Sequence, residues 1–239
     1  MYFIAKDLCK NCKPGYNPTM KRFSFTQARQ NMIDNQLRPN KVTSTPLLQR
    51  FMDVPREEFS DSTYLHKAYA DMLLPISENR TMFAPMTLAR MIQSLDLTED
   101  DNVLIVAGGT GYTAAIIAPL VHHVTLVEEE EYLLDVAQKE ALEQNLNNIT
   151  FKHAKPQQGA PDNSPYSRII FDTAIQEIPQ EILSQLENGG KISAVFTKSG
   201  DTKHATVFTK AGNTLFSNAL FETKAQVLDD FKTKERFVF

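Results

Sequence analysis

The stretch that most constrains this chain is Val103-Leu104-Ile105-Val106-Ala107-Gly108-Gly109-Thr110-Gly111-Tyr112. A short apolar run feeds a glycine-rich turn, and helix-forming sequence follows. Glycine at such a turn permits positive φ and lets a ligand approach the backbone closely. The helix start beyond it offers N–H groups with no partner of their own. Glu128 ends the next apolar run, residues 124–127, where a carboxylate can accept hydrogen bonds from two ribose hydroxyls. The turn and the acid together mark an adenosine site at the carboxyl edge of a doubly wound sheet. Its expected lining is Ala107, Gly108, Gly109, Thr110, Gly111, Tyr112 and Glu128. The segment Gly109-Thr110-Gly111-Tyr112-Thr113-Ala114 also satisfies the dinucleotide pattern G-x-G-x-x-A, so a nicotinamide-dependent enzyme is a rival reading of the same residues.

Beyond residue 101, strand-like and helical runs alternate. Strands are predicted at 103–107, 124–127, 149–153, 168–172 and 192–196, with helices at 112–121, 132–146 and 179–186, the last closed by Gly189-Gly190. This alternation implies right-handed crossovers and a parallel sheet covered on both faces. Residues 204–209 and 215–221 flank a Gly212-Asn213 turn and read as an added antiparallel hairpin. Residues 20–95 read as a helical module. Thr26 is the expected cap of a helix that runs to Leu37 and stops at Pro39, and Thr45-Pro46 opens a second. Residues 85–95 carry an apolar face at positions 88, 91, 92 and 95. Residues 1–19 stand apart as a flexible extension holding Cys9 and Cys12. That pair supplies two zinc ligands where a structural site takes four. Three regions are therefore expected: 1–19, 20–95 and an α/β core at 96–239.

Composition narrows the function. The chain has 239 residues, between one and two domains' worth, and its charge of 25 − 29 = −4 argues against a general nucleic-acid binder. No apolar run approaches the ~18 residues of a membrane span, and no basic start followed by an apolar core marks a secretory signal. A cytoplasmic enzyme or binding protein is expected. His66, His122, His123, His153 and His204 show no metal-ligand spacing, and Met82, Met86 and Met91 read as core; no metal is expected.

Further motifs carry a resemblance. These are Asn31-Met32-Ile33-Asp34-Asn35-Gln36-Leu37-Arg38-Pro39, Val54-Pro55-Arg56-Glu57-Glu58-Phe59, Ala68-Tyr69-Ala70-Asp71 with Leu74-Pro75-Ile76, Ala84-Pro85-Met86, and Ser164-Pro165-Tyr166. With the glycine loop, Gln185-Leu186 and Gly189-Gly190, the chain from Met20 to Phe239 resembles the bacterial protein-L-isoaspartate O-methyltransferases. The resemblance implies a Rossmann-like seven-stranded methyltransferase sheet with an N-terminal helical module and a C-terminal hairpin. It implies S-adenosylmethionine as donor and the side-chain carboxylate of isoaspartyl residues in damaged proteins as acceptor. Such a carboxylate is already ionised at pH 7, so the reaction rests on alignment and exclusion of water rather than on a general base.

The sequence departs from the family at chemically sensitive positions. The family's motif before the Ala-Pro pair reads approximately Thr-Ile-Ser, its serine close to the reacting carboxylate. Here Thr81-Met82-Phe83 stands, and Phe83 has no donor. Thr81 is then the nearest hydroxyl, and Asp71 with Tyr69 is a candidate lining of the acceptor cleft. Ile105 and Ala107 stand where the family's first strand carries an acid and a glycine. Lys155 stands where an aspartate accepts from the adenine amino group. An ammonium cannot accept that bond, and its loss costs about 1–3 kcal/mol of donor affinity. A family member that keeps the fold and a ligand or partner without isoaspartyl turnover is therefore the alternative function.

Overall fold

Residues 24–197 and 202–233 are described by a computed structural model. Cys9, Cys12, the rest of residues 1–19 and Gly200 lie outside them. Helix α1 (Phe25–Met32) begins at Ser24, whose hydroxyl accepts from the Gln27 N–H at 3.3 Å. Helix α2 (Thr45–Asp53) begins at Ser44, which accepts from Leu47 N–H. Both caps fall on serines just ahead of the expected threonines, because a cap residue is extended while Thr26 and Thr45 are already helical. Pro39 does not stop the first helix at Leu37 either. Winding continues through a π-turn (Ile33–Leu37) and a 3-10 turn (Arg38–Asn40) that accommodates the proline near its start, and ends at Lys41 with φ 67°.

Two 3-10 segments follow, at Arg56–Phe59 and Ser62–Lys67. Then come β1 (Leu74–Pro75) and β2 (Thr81–Met82), an antiparallel pair with Leu74 opposite Met82. The loop between them, residues 76–80, becomes important below. Helix α3 (Pro85–Gln93) closes the N-terminal part.

The remaining elements are β3 (Asn102–Val106), α4 (Tyr112–Ile117), β4 (His123–Glu128), α5 (Glu131–Glu143), β5 (Ile149–His153), β6 (Tyr166–Ile175), α6 (Gln180–Gln185), β7 (Leu186–Phe196), β8 (His204–Ala211) and β9 (Thr214–Glu222). Seven strands form one sheet in the order β5-β4-β3-β6-β7-β8-β9. Strands β3 to β7 run parallel, and β8 and β9 add the antiparallel edge. The expected doubly wound sheet and hairpin are therefore present. Gly189 and Gly190 differ from expectation: they lie inside β7 rather than closing a helix. Leu186 already pairs with Tyr166, and a register shift before Arg168 absorbs the extra residues, with Gly189 at φ 85°.

Side-chain alternation divides the core. Val103, Ile105, Val124 and Leu126 face a continuous cluster that runs through α4, α5 and the N-terminal helices from Met32 to Leu95. Leu104, Val106, Ile169 and Phe171 face the other cluster, with Ile182 of α6 and Phe231. Phe231 belongs to a C-terminal tail. Ala174 N–H donates to Gln226 O at 2.9 Å, Gln176 N–H to Phe231 O at 3.0 Å, and the Phe231 ring meets Phe171 edge-on at 5.4 Å. No helix among the described residues is long and apolar enough to cross a membrane.

Strand β3 has β4 on one side and β6 on the other, so its flanking crossovers leave in opposite directions. A crevice forms at the carboxyl ends of the strands at such a point. Gly111 sits there at φ +84°, and a Cβ on it would lie 2.8 Å from Ala137 Cβ and 3.1 Å from Ala137 Cα, part of the α5 backbone. Gly111→Ala therefore combines strain with a clash that only helix movement relieves. We expect it to lose about 2–4 kcal/mol of stability, read as a lower urea midpoint at unchanged slope.

Candidate functional site

Four backbone residues shape the crevice. Ala107 leaves β3 at φ 59°, a left-handed conformation that a Cβ disfavours by about 1–2 kcal/mol. Gly108 N–H still reaches across to Val127 O at 3.1 Å. Gly109 turns at φ +54° and donates to Glu128 Oε2 at 2.8 Å. Gly111 then opens α4. The Tyr112 side chain points into the core, with Phe59 edge-on at 5.4 Å and the Arg56 guanidinium 4.8 Å above its ring. Burial pushes its hydroxyl up to about 12. Thr110 Oγ1 is buried without a hydrogen-bond partner.

Glu128 holds the centre and is fully buried. Besides Gly109 N–H, its carboxylate accepts from Glu129 N–H at 2.9 Å and Glu130 N–H at 3.0 Å. Its remaining partner is Arg80, a residue the sequence analysis did not single out. Arg80 Nη1 donates to Glu128 Oε1 at 2.7 Å, and Nη2 donates to Ala107 O at 2.6 Å. The pair is buried, with side chains 4% and 0% exposed. Arg80 comes from the β1–β2 loop, and so does Ile76, whose Cδ1 lies 2.8 Å from where a Gly109 Cβ would be. The sequence carries no signal for it, since Arg80 ends the polar stretch Ser77-Glu78-Asn79-Arg80.

The hollow left over the cradle measures about 10 Å³ and is bordered by Ile76, Arg80, Thr81, Met82, Thr110 and Asp172. That is room for about one water molecule. A ligand the size of S-adenosylmethionine occupies a pocket of roughly 300–1,000 Å³. The residues as folded do not fit it: the acid that would grip the ribose is already satisfied by Arg80.

Asp172, near the carboxyl end of β6, lies next to this hollow. It accepts from Thr113 Oγ1 at 2.7 Å through Oδ2, while Oδ1 has no partner. Burial raises its carboxyl from the ordinary value near 4 to about 6, against the lowering effects of Thr113, Arg80 and Arg56.

The acceptor-side candidates disperse. Thr81 is half-buried at the rim of the hollow. Phe83 is 2% exposed within the N-terminal core cluster, and its carbonyl accepts from Arg56 Nη2 at 2.5 Å. Tyr69 is buried, its hydroxyl donating to Glu57 and accepting from Arg29 Nε at 2.8 Å. Burial and the Glu57 carboxylate push that phenol well above its usual range. Asp71 is exposed in the turn beyond it. Lys155 is exposed at the start of the turn Pro156–Gln158, after β5. Ala107, Gly108, Gly109, Thr110 and Glu128 thus converge on one place, together with Asp172 and Arg80, while Asp71 and Lys155 stand in solvent.

Comparison with known proteins agrees with this architecture. Residues 27–227 match the family described as protein-L-isoaspartate(D-aspartate) O-methyltransferase. The protein-L-isoaspartate O-methyltransferase of Cronobacter sakazakii is 39% identical over 156 residues, 65% of this chain and 75% of that protein. The Klebsiella pneumoniae protein of the same name is 37% identical over the same extent. A solved protein-L-isoaspartate O-methyltransferase superposes with a TM-score of 0.75 at 24% identity, covering 85% of this chain and 67% of that one. A Plasmodium falciparum structure, in complex with S-adenosyl-L-homocysteine, superposes at 0.71 with 15% identity, covering 87% of this chain and all of that one. The chain therefore belongs to the protein-L-isoaspartate(D-aspartate) O-methyltransferase family, whose members use S-adenosylmethionine to methylate isoaspartyl residues of proteins.

Proposed function

We propose that this chain acts on isoaspartyl residues of damaged proteins in the cytoplasm, with S-adenosylmethionine as donor and residues 107–112 with Glu128 as its binding place. One observation carries this reading. The turn after β3 and the acid ending β4 still converge, Gly109 N–H against Glu128 Oε2 at 2.8 Å, within a family match that spans most of the chain. Thr81 at the rim of the hollow is the hydroxyl best placed on the acceptor side, and Asp172 offers a buried acceptor with one free oxygen.

A second reading has an observation of its own. Arg80 closes the cradle, and position 83 offers no hydroxyl, its phenylalanine ring being packed in the core. A family member with this arrangement could bind a ligand or partner and transfer nothing. Radiolabelled methyl transfer from S-adenosylmethionine to an isoaspartyl peptide separates the two. We expect label on that peptide and none on its aspartyl counterpart. Absence of label in a preparation that demonstrably binds S-adenosylhomocysteine would leave the second reading.

Phe83→Ser tests the acceptor side. Its ring is core rather than pocket wall, so we expect about 3–4 kcal/mol of lost stability in denaturant unfolding, with no gain in methyl transfer. A rise in turnover would mean that the ring blocks the acceptor.

Asp172 yields a pH prediction. Its folded value near 6 lies above the ~4 of an unfolded aspartate, so between these values the folded chain holds the proton more tightly. Stability contributed by the protonated carboxyl is then lost as pH rises from about 4 to about 6. Asp172→Asn retains an acceptor for Thr113 and removes the titration. It should raise Tm at pH 7.5, by the equivalent of about 3 kcal/mol, and change it little at pH 4.5.

A further inference from the structure

The disagreement between a nucleoside cradle and its self-made plug points to a device in the loop of residues 76–80. We propose that Arg80 is a latch on the donor site: it competes with the donor's ribose for Glu128 and must swing outward before S-adenosylmethionine or its product can bind. The inference rests on the function proposed above and adds a residue that sets donor affinity.

Four features support it. First, the loop is short and sits between two-residue strands, so few ladder hydrogen bonds hold it in place. Second, it is fastened at its ends rather than along its length. Ile76 N–H donates to Arg80 O at 3.0 Å, Ser77 Oγ to Glu130 Oε1 at 3.2 Å, and the Arg80 guanidinium to Glu128 and Ala107 O, while Glu78 and Asn79 are exposed. Third, the groups beneath the loop are left unsatisfied by it. Asp172 Oδ1 and Thr110 Oγ1 are buried beside the hollow with no hydrogen-bond partner, as expected of atoms that face a ligand in another conformation.

The fourth feature is a second place for the guanidinium. A groove of about 380 Å³ adjoins Arg80 on its outer side, and Glu129, Glu130, Asp229 and Asp230 line it. Pulling an arginine off a buried carboxylate into bare solvent leaves a buried charge unpaired, which is strongly unfavourable. Here the cost is reduced on both sides. Ribose hydroxyls would replace the Arg80 hydrogen bonds on Glu128, which keeps the Gly109, Glu129 and Glu130 amides, and the groove carboxylates would receive the cation. Two compact arrangements of one side chain, each with its polar atoms hydrogen-bonded, make a bistable element that a ligand can bias.

The test is calorimetric titration of the full chain with S-adenosylhomocysteine, which reads binding without turnover. Wild type, Arg80→Ala and Arg80→Gln are compared after a thermal melt shows each to be folded. The glutamine variant keeps a donor near Glu128 without the reach to Ala107 O, so it serves if the alanine variant fails to fold. We expect either variant to bind at least tenfold more tightly than wild type. In crystals of the wild-type complex, the guanidinium should lie against the groove carboxylates. Equal or weaker binding by the folded variants removes the latch while leaving the donor reading intact. So does a wild-type complex with Arg80 still on Glu128. No binding by any folded form, wild type included, overturns the donor reading and the latch with it.

Discussion

A carboxylate out of reach of water needs its charge answered on every side, and Glu128 organises the top of this sheet for that reason. Its donors come from three separate segments: the β1–β2 loop through Arg80, the β3–α4 turn through Gly109, and the start of α5 through the Glu129 and Glu130 amides. The three segments are therefore held in mutual register by one side chain. In the function proposed above, the same carboxylate would grip the nucleoside. Closure of the loop and binding of a donor would then draw on a single set of lone pairs.

The neighbouring charges follow from the same burial. Arg56 is fully buried, yet it spans Ala68 O and Phe83 O and stacks over Tyr112, so it ties the irregular residues 56–84 to the first turn of α4. Arg29 does similar service outside it, between Tyr69 and Glu57. Phe83 is placed by these contacts through its backbone and by the core through its ring. Its departure from a serine therefore reads as packing in this chain, and the acceptor side depends more on where Thr81 and the loop sit.

Period-based reasoning found the sheet because its signals are local. Apolar runs of strand length, such as residues 103–107, end at glycines, and the helices between them have their own spacing. The adenosine-type turn and Glu128 were legible for the same reason: their meaning lies in order along the chain. Arg80 was not. Nothing in Ser77-Glu78-Asn79-Arg80 distinguishes an inward-pointing arginine from a solvated turn residue. Its role appears only when a two-residue hairpin brings it 48 positions along the sequence to Glu128. The placement of Gly189 and Gly190 was missed on similar grounds, since a strand that begins early at Leu186 is fixed by its neighbour Tyr166 and not by its own pattern. Asp71 and Lys155 stand out by their place in motifs, and their solvent exposure is a property of the folded chain alone.

The segment of residues 225–231 has a consequence for the order in which the sheet can close. It supplies acceptors to Ala174 and Gln176 and sets Phe231 against Phe171, on a strand laid down earlier in the chain. Until this segment docks, the end of β6 carries open amides and a bare aromatic ring. The parallel strands can therefore pair before it arrives, but the edge of the core beside Phe171 is sealed only when it does.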